Sequence, residues 1–283
     1  MSELPVTIFT PESAMRNPGL LLVAMGHDIV KGRELAWRLF MRDLSAQYRQ
    51  TYLGYIWAFM PPFVASGTFI FLQSQGIISV ADTPIPYAAF AMIGTLLWQS
   101  FVDAMQCPLI SLQNAQPMLA KINFPREAIL MAGLLLVGFN FLVRLLPLIL
   151  VMAIWRVTPN DTIVLFPVAV LGLIACGFAV GLVLLPIGAL YRDIGRGIGL
   201  IAQFWMLLTP VVYPTPTHGF AGWLATWNPI APVLATARET VSGMGLTAFP
   251  AFIGISLLAV LVCFLGMMAF RLVMPILIER MSS

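Results

Sequence analysis

The chain reads as an all-α integral membrane protein, and three observations carry that reading. Of its 283 residues, 60% are hydrophobic and only 10% charged, with a mean hydropathy of +0.92; a soluble domain of this size has no core able to hide so much apolar surface. The apolar residues gather into six segments, at 52–75, 86–107, 128–155, 163–190, 198–213 and 249–271, all but the fifth long enough for the about 20 residues a bilayer requires. Ahead of the first segment lies a basic amphipathic helix that runs into it without a polar break.

Residues 1–30 are expected to form a cytoplasmic tail with at most partial order. Residues 1–19 are polar and the apolar run from Leu20 to Met25 is too short for a cleavable signal, so the first span directs insertion. Residues 31–51 form the amphipathic element. Trp37, Met41, Leu44 and Tyr48 recur at helical spacing, widened by Leu35, Leu39 and Phe40, while Arg38, Arg42, Ser45 and Arg49 recur on the opposite side. Such a helix lies in a membrane surface.

Residues 52–283 then read as one six-span domain, without linkers or internal repeats. An even number of spans puts both termini on one side, and the basic residues choose which. With the termini inside, the cytoplasmic segments hold twelve of the 15 Lys and Arg residues, the outer segments hold Arg156 and Arg238, and Arg144 lies within the third span. The fifth span is short, and Gly195, Gly197 and Gly199 at its entry allow it to flex. Between spans five and six, Asn228 and Pro229 read as a helix start, with Ile230, Val233, Leu234, Ala237 and Val241 at helical spacing and Gly243 as a stop. Trp223 and Trp227 sit as interfacial aromatics. A short re-entrant pair of helices on the outer side fits this pattern best; an interfacial loop packed on the bundle top is the alternative.

The sequence holds no G-x-x-x-x-G-K-[ST] loop to cradle ATP phosphates and no H-E-x-x-H motif, and its two histidines, His27 and His218, are predicted on opposite faces. Three cysteines without paired spacing (Cys107, Cys176 and Cys263) read as packed thiols. Asp103 and Arg144 are ionisable groups in apolar surroundings and functional candidates for that reason. Depth argues against their pairing: Asp103 falls late in an inward-running span, near the cytoplasmic side, whereas Arg144 lies about 24 Å up an outward-running one. Arg144 either faces a wet pathway or snorkels outward. Gly177 and Gly181 form a G-x-x-x-G pair that reads as internal packing before a dimer seam. Pro61, Pro62, Pro147, Pro167 and Pro186 interrupt spans, as in a bundle around a cavity or in ordinary kinked packing. The loop NAQPMLAKINFPRE at 114–127 has a helical stretch, a basic residue and an aromatic that protrudes as a docking knob would, or it is a plain connector.

Four motifs in order, RDLSAQYRQTYLGYIWAFMPP, NAQPMLAKINFPRE, YRDIGRGIG and WNPIAPVLATARETV, make the chain from residue 33 onward resemble the ABC-2-type permeases of bacterial polysaccharide export, which serve O-antigen, capsule and teichoic-acid transport. The resemblance implies a homodimer of six-span subunits in the cytoplasmic membrane, bound to two copies of a separate cytoplasmic nucleotide-binding subunit that holds ATP and Mg. No catalytic residue, metal or cofactor is expected on this chain, and no nucleic-acid partner. By the same resemblance the interface helix is marked by Trp37, Arg38, Arg42, Asp43, Tyr48 and Arg49. ATPase coupling falls to Gln116, Leu119, Lys121, Phe124, Pro125, Arg126 and Glu127, with Arg192 and Asp193 as a second contact. Trp223, Trp227, Asn228, Pro229 and Arg238 belong to an outer gate. The implied cargo is a lipid-linked glycan, whose path needs aromatic faces for sugar rings. Tyr52, Trp57, Trp98, Phe101, Phe204 and Tyr213 are candidates, lipid-facing or core positions being the ordinary alternative. Two other readings stand beside this one: an ABC-2-type exporter of a drug or small lipid, and a membrane enzyme acting on lipid-linked sugars. The enzyme would need clustered acids or histidines, and the outer segments offer only the scattered Asp82, Asp161 and Glu239.

Overall fold

The computed structural model describes residues 18–49, 56, 60–78, 83–119, 124–216, 218–243 and 245–282, which are mostly helical and without strand. The described helices are α1 (Pro18–Tyr48), α2 (Met60–Ser74), α3 (Tyr87–Leu119), α4 (Glu127–Ile154), α5 (Phe166–Leu190), α6 (Arg192–Leu208), α7 (Gly219–Trp227), α8 (Ile230–Ser242) and α9 (Phe249–Ser282), with a 3-10 turn at Asp161–Leu165 leading into α5. Four are long and apolar enough to cross a membrane: α3, α4, α5 with its lead-in, and α9 as far as Met274. The start of the expected first span lies outside the described residues, and α2 accounts for 15 of its residues. The fifth apolar segment appears as the 17-residue α6, which begins and ends earlier than hydropathy suggested.

At the centre stands α3, in contact with α2, α4, α5, α6 and α8. It continues twelve residues past the expected end of its span, to Leu119. Hydropathy drops at Gln106 and Gln113, but the backbone hydrogen bonds of a helix do not depend on side-chain polarity. In a bilayer, burying apolar surface gains little, because lipid is as apolar as leucine; helices associate where small residues let backbones come close. Gly177 and Gly181 do this: a Cβ at either would run into the carbonyl oxygens of Phe101 and Met105. The glycine pair seats α5 on α3 within one subunit.

Pro61, Pro62 and Pro167 stand in the first turns of α2 and α5, where the missing N–H has no intrahelical partner to lose. Only Pro147 and Pro186 of the expected prolines lie inside helices, joined by Pro108 and Pro117 of α3.

Helix α1 begins at Pro18, inside the expected tail. Its buried stripe (Gly32, Ala36, Leu39 and Phe40) faces α4, whereas Trp37 and Met41 on the same broad apolar side stay exposed. Only part of the apolar side of this helix is therefore covered by the rest of the chain. Ion pairs from Arg271 to Asp28 and Glu127 gather α1, the start of α4 and the later part of α9 at one end of the bundle. At the other end, the Asn160 amide donates to the Gly243 carbonyl at 2.7 Å, joining the α4–α5 connection to the end of α8.

Candidate functional site

Asp103 and Arg144 form an ion pair, contrary to the depth argument: the Arg144 guanidinium donates to the Asp103 carboxylate at 2.5 Å. Because α3 runs on to Leu119, Asp103 lies 16 residues from either end of that helix, and Arg144 lies 17 residues into α4. Counted from the α3–α4 connection, the two sit at the same height. The end of the apolar run at 107 is not the end of the helix, which continues to Leu119. The Gln99 amide also donates to Asp103 at 2.9 Å, so the carboxylate is held twice. The Arg144 side chain is 5% exposed and that of Asp103 17%. Neither snorkels.

This pair lies at the back of a cleft of about 790 Å³ between α1, the start of α2, α3 and α4. Its walls set polar groups into mainly apolar surface: Gln99, Gln106 and Asn114 recur along one side of α3, Asn140 and Arg144 lie one turn apart on α4, and Arg42 and Asp43 stand on α1, among Ala46, Pro61, Ile110, Leu136 and Val137. Arg42 donates to Asp43 at 2.8 Å and to the Met118 sulfur at 3.2 Å. A second cavity of about 580 Å³ lies between α3, α5 and α6 and shares Gln106 and Ile110 with the first; Gln116 and Arg196 line it. Among the described residues, no aromatic side chain lines either cavity.

The expected aromatic path is corrected in part. Trp98 and Phe101 are 3% and 0% exposed and pack against Trp205, the Phe101 and Trp205 rings meeting edge-on at 5.4 Å. They belong to the α3–α6 contact and offer no face to a sugar. Phe204, 70% exposed, remains open; Tyr213 is half-buried and its hydroxyl donates to the Leu207 carbonyl. Tyr52 and Trp57 lie outside the described residues.

At the α3–α4 connection Phe124 does not protrude. It packs half-buried against the core. Pro125 and Arg126 are half-buried beside it; burial lowers the Arg126 pKa from its usual value, Glu127 opposing this and Arg271 adding to it. Glu127 is 3% exposed and accepts from Arg271 at 2.9 Å, so it anchors the loop from within and presents no charge outward. Leu119 is buried, Gln116 half-buried, and Lys121 outside the described residues. Arg192 opens α6, with Asp193 exposed in its first turn. On α1, Arg38 pairs with Glu34 at 2.7 Å, Arg49 is exposed, and Tyr48 ends the helix.

The segment between α6 and α9 is a helical pair, as expected. Trp223 and Trp227 of α7 are exposed, and Pro229 stands just ahead of α8. The Asn228 side chain accepts from the Ile230 N–H at 3.1 Å and donates to the Thr209 hydroxyl at 2.7 Å, and Gly243 ends α8 in the left-handed region at φ 69. Arg238, however, is not an outer surface charge. It is 5% exposed, donates to the carbonyls of Pro210 and Val211 at 3.1 and 2.5 Å, and lies 3.8 Å over the Phe90 ring. It ties α8 to the end of α6 and to α3. Gly94 makes room, since a Cβ there would strike the Val211 carbonyl and the Arg238 guanidinium.

The described helices able to cross a membrane, together with the family that the sequence matches, make this chain a transmembrane permease subunit and not the ATPase. The chain belongs to the ABC-2 type transporter family, which it matches over residues 34–242, and is a multi-pass inner-membrane protein. It is similar to the O-antigen export system permease protein RfbA of Klebsiella pneumoniae, 26% identical over 203 residues that cover 70% of this chain and 76% of the relative. The protein of the same name from Myxococcus xanthus is 27% identical over 198 residues, 69% of this chain and 74% of the relative.

Proposed function

We propose that two copies of this chain form the conduit of an exporter that carries a lipid-linked polysaccharide across the bacterial cytoplasmic membrane. Two copies of a separate nucleotide-binding subunit would bind ATP and Mg and drive it. The observation that carries the reading is the family match over residues 34–242 together with relatives named as O-antigen export permeases. The Asp103–Arg144 pair beside the cleft supports it, since buried charge inside a membrane is kept where it serves a pathway. The exposed apolar side of α6, with Leu200, Ile201 and Phe204, supports a subunit contact there. In this scheme six spans leave both termini cytoplasmic, α1 lies in the inner membrane surface, and the α3–α4 connection receives the ATPase. The α7–α8 pair closes the outer side.

Deleting the gene in its own cell tests the reading. Surface polysaccharide should vanish, lipid-linked glycan should accumulate inside, and the chain supplied from a plasmid should restore export and co-purify with a nucleotide-binding subunit. Unchanged surface glycan, or ATP hydrolysis by the purified chain alone, would overturn it.

A further inference from the structure

Helix α6 is held unequally along its length. At its end the chain leaves the helix through residues 209–212, non-helical backbone that is buried throughout. Inside a membrane such backbone is tolerated where protein satisfies its polar groups. The α7–α8 pair does so: Asn228 donates to the Thr209 hydroxyl at 2.7 Å, and Arg238 to the carbonyls of Pro210 and Val211. One turn earlier, Trp205 meets Trp98 and Phe101 of α3 edge-on.

The start of α6 has none of this. Residues 193–203 make no side-chain hydrogen bond or ion pair with any other described residue. Contact with the core rests there on apolar side chains, Ile194 and Ile198 foremost, which can slide. Gly195, Gly197 and Gly199 contribute no side chain, and a Cβ at Gly197 would meet nothing within 4 Å. Helices α5 and α6 join through one extended residue, Tyr191, and Pro186 stands inside α5 five residues before it. Proline withdraws a backbone hydrogen bond and glycine removes a steric limit, so the chain bends at lower cost on both sides of this corner. Behind the corner lies the cavity of about 580 Å³, bounded by residues 188–190 of α5, the start of α6 and residues 106–116 of α3.

We propose that the α5–α6 corner, residues 187–199, is a moving part of the exporter, swinging into and out of this cavity while the end of α6 stays pinned at 209–211. The inference goes beyond the export reading and rests on it, since that reading puts the corner on the ATPase side. No ligand is required in the cavity, because water or an acyl chain there yields to the helix. Helix α6 is about 25 Å long, so a tilt of about 10° around the pinned end moves its start by about 4 Å.

The two ends are compared in proteoliposomes that hold the chain with its nucleotide-binding subunit. In a chain with Cys107, Cys176 and Cys263 replaced by alanine, a spin label is placed at Arg196→Cys or at Leu208→Cys, both exposed positions. Pulsed electron paramagnetic resonance then reads the distance between the labels of two copies, without nucleotide and with vanadate-trapped ATP. The distance at 196 should change by about 4 Å or more, the displacement such a tilt gives, and that at 208 should hold. Equal changes at both positions, a change confined to 208, or none at either overturns the proposal. In a second measurement, Gln113→Cys with Arg196→Cys is bridged across the cavity by a short bifunctional thiol reagent. Export should fall about ten-fold and return when the bridge is reduced; undiminished export with the bridge complete on a gel overturns the proposal as well. Export by the unmodified chain is measured alongside. Its absence would strike the cargo reading, while the label distances, which need no cargo, still decide whether the corner moves.

Discussion

Asp103 and Arg144 illustrate what a single residue decides in this protein. Each alone would be a charge far from bulk water, and together they satisfy one another across α3 and α4. Removing one partner from a buried pair costs about 3–5 kcal/mol, whereas replacing both by apolar groups of similar size is close to neutral. Arg144→Met should therefore lower the thermal unfolding midpoint in detergent markedly, and Asp103→Leu with Arg144→Met should recover most of the loss. A single variant as stable as the unmodified protein would show that the pair is not held as described. Arg238 is bound differently, to backbone carbonyls with no acid among its hydrogen-bond partners. Arg238→Met keeps the contact with Phe90 but withdraws the donors, each such charged bond being worth about 1.5–3 kcal/mol. The expected outcome is a lower unfolding midpoint, read by Trp fluorescence; a midpoint that does not move would count against the strut.

At the scale of the element, α1 shows how far pattern carries and where it stops. The period that separates Trp37 and Met41 from Arg38 and Arg42 was legible, because amphipathicity is written in spacing. That only part of the apolar side packs on α4 was not, since the partner helix lies some ninety residues further on. Cysteine scanning resolves the division. A cysteine at Leu39 should react with neither aqueous nor lipophilic thiol reagents, one at Trp37 with the lipophilic reagent only, and one at Arg38 with both; equal labelling of all three would disprove the packing. Hydropathy likewise located α4, α5 and α9 to within a few residues of their starts, but it stopped α3 at 107, where Gln106 turns the helix toward a cleft instead of lipid. The same misplaced end hid the Asp103–Arg144 pair and the amides beside it. Their signal was present as polar residues three to four apart at Gln99, Asp103 and Gln106. Trp98 and Phe101 look like channel candidates in the sequence because an aromatic's chemistry is visible there and its burial against Trp205 is not.

For the whole molecule, the question is how movement at the α3–α4 connection reaches distant helices. Phe124 and Glu127 root that connection in the core, and Arg271 joins Glu127 at 2.9 Å and Asp28 at 2.7 Å. One guanidinium thus fastens the start of α4 to α1 and to α9, three elements far apart in sequence. A force applied at the connection must move all three or break this clasp. Arg271→Leu breaks it and leaves Glu127 buried without its partner, while Arg271→Lys keeps a point charge able to hold one acid at a time. If the clasp transmits motion, Arg271→Leu should lower export about ten-fold or more while the nucleotide-binding subunit still hydrolyses ATP, and Arg271→Lys should restore part of the transport. Both rates are measured in the same proteoliposomes. A parallel fall in hydrolysis and export, with loss of the complex on gel filtration, would mean that Arg271 only holds the fold together. Undisturbed transport in the leucine variant would mean that the three elements are coupled through packing alone, most directly through the contact of α1 with α4 at Gly32 and Ala128.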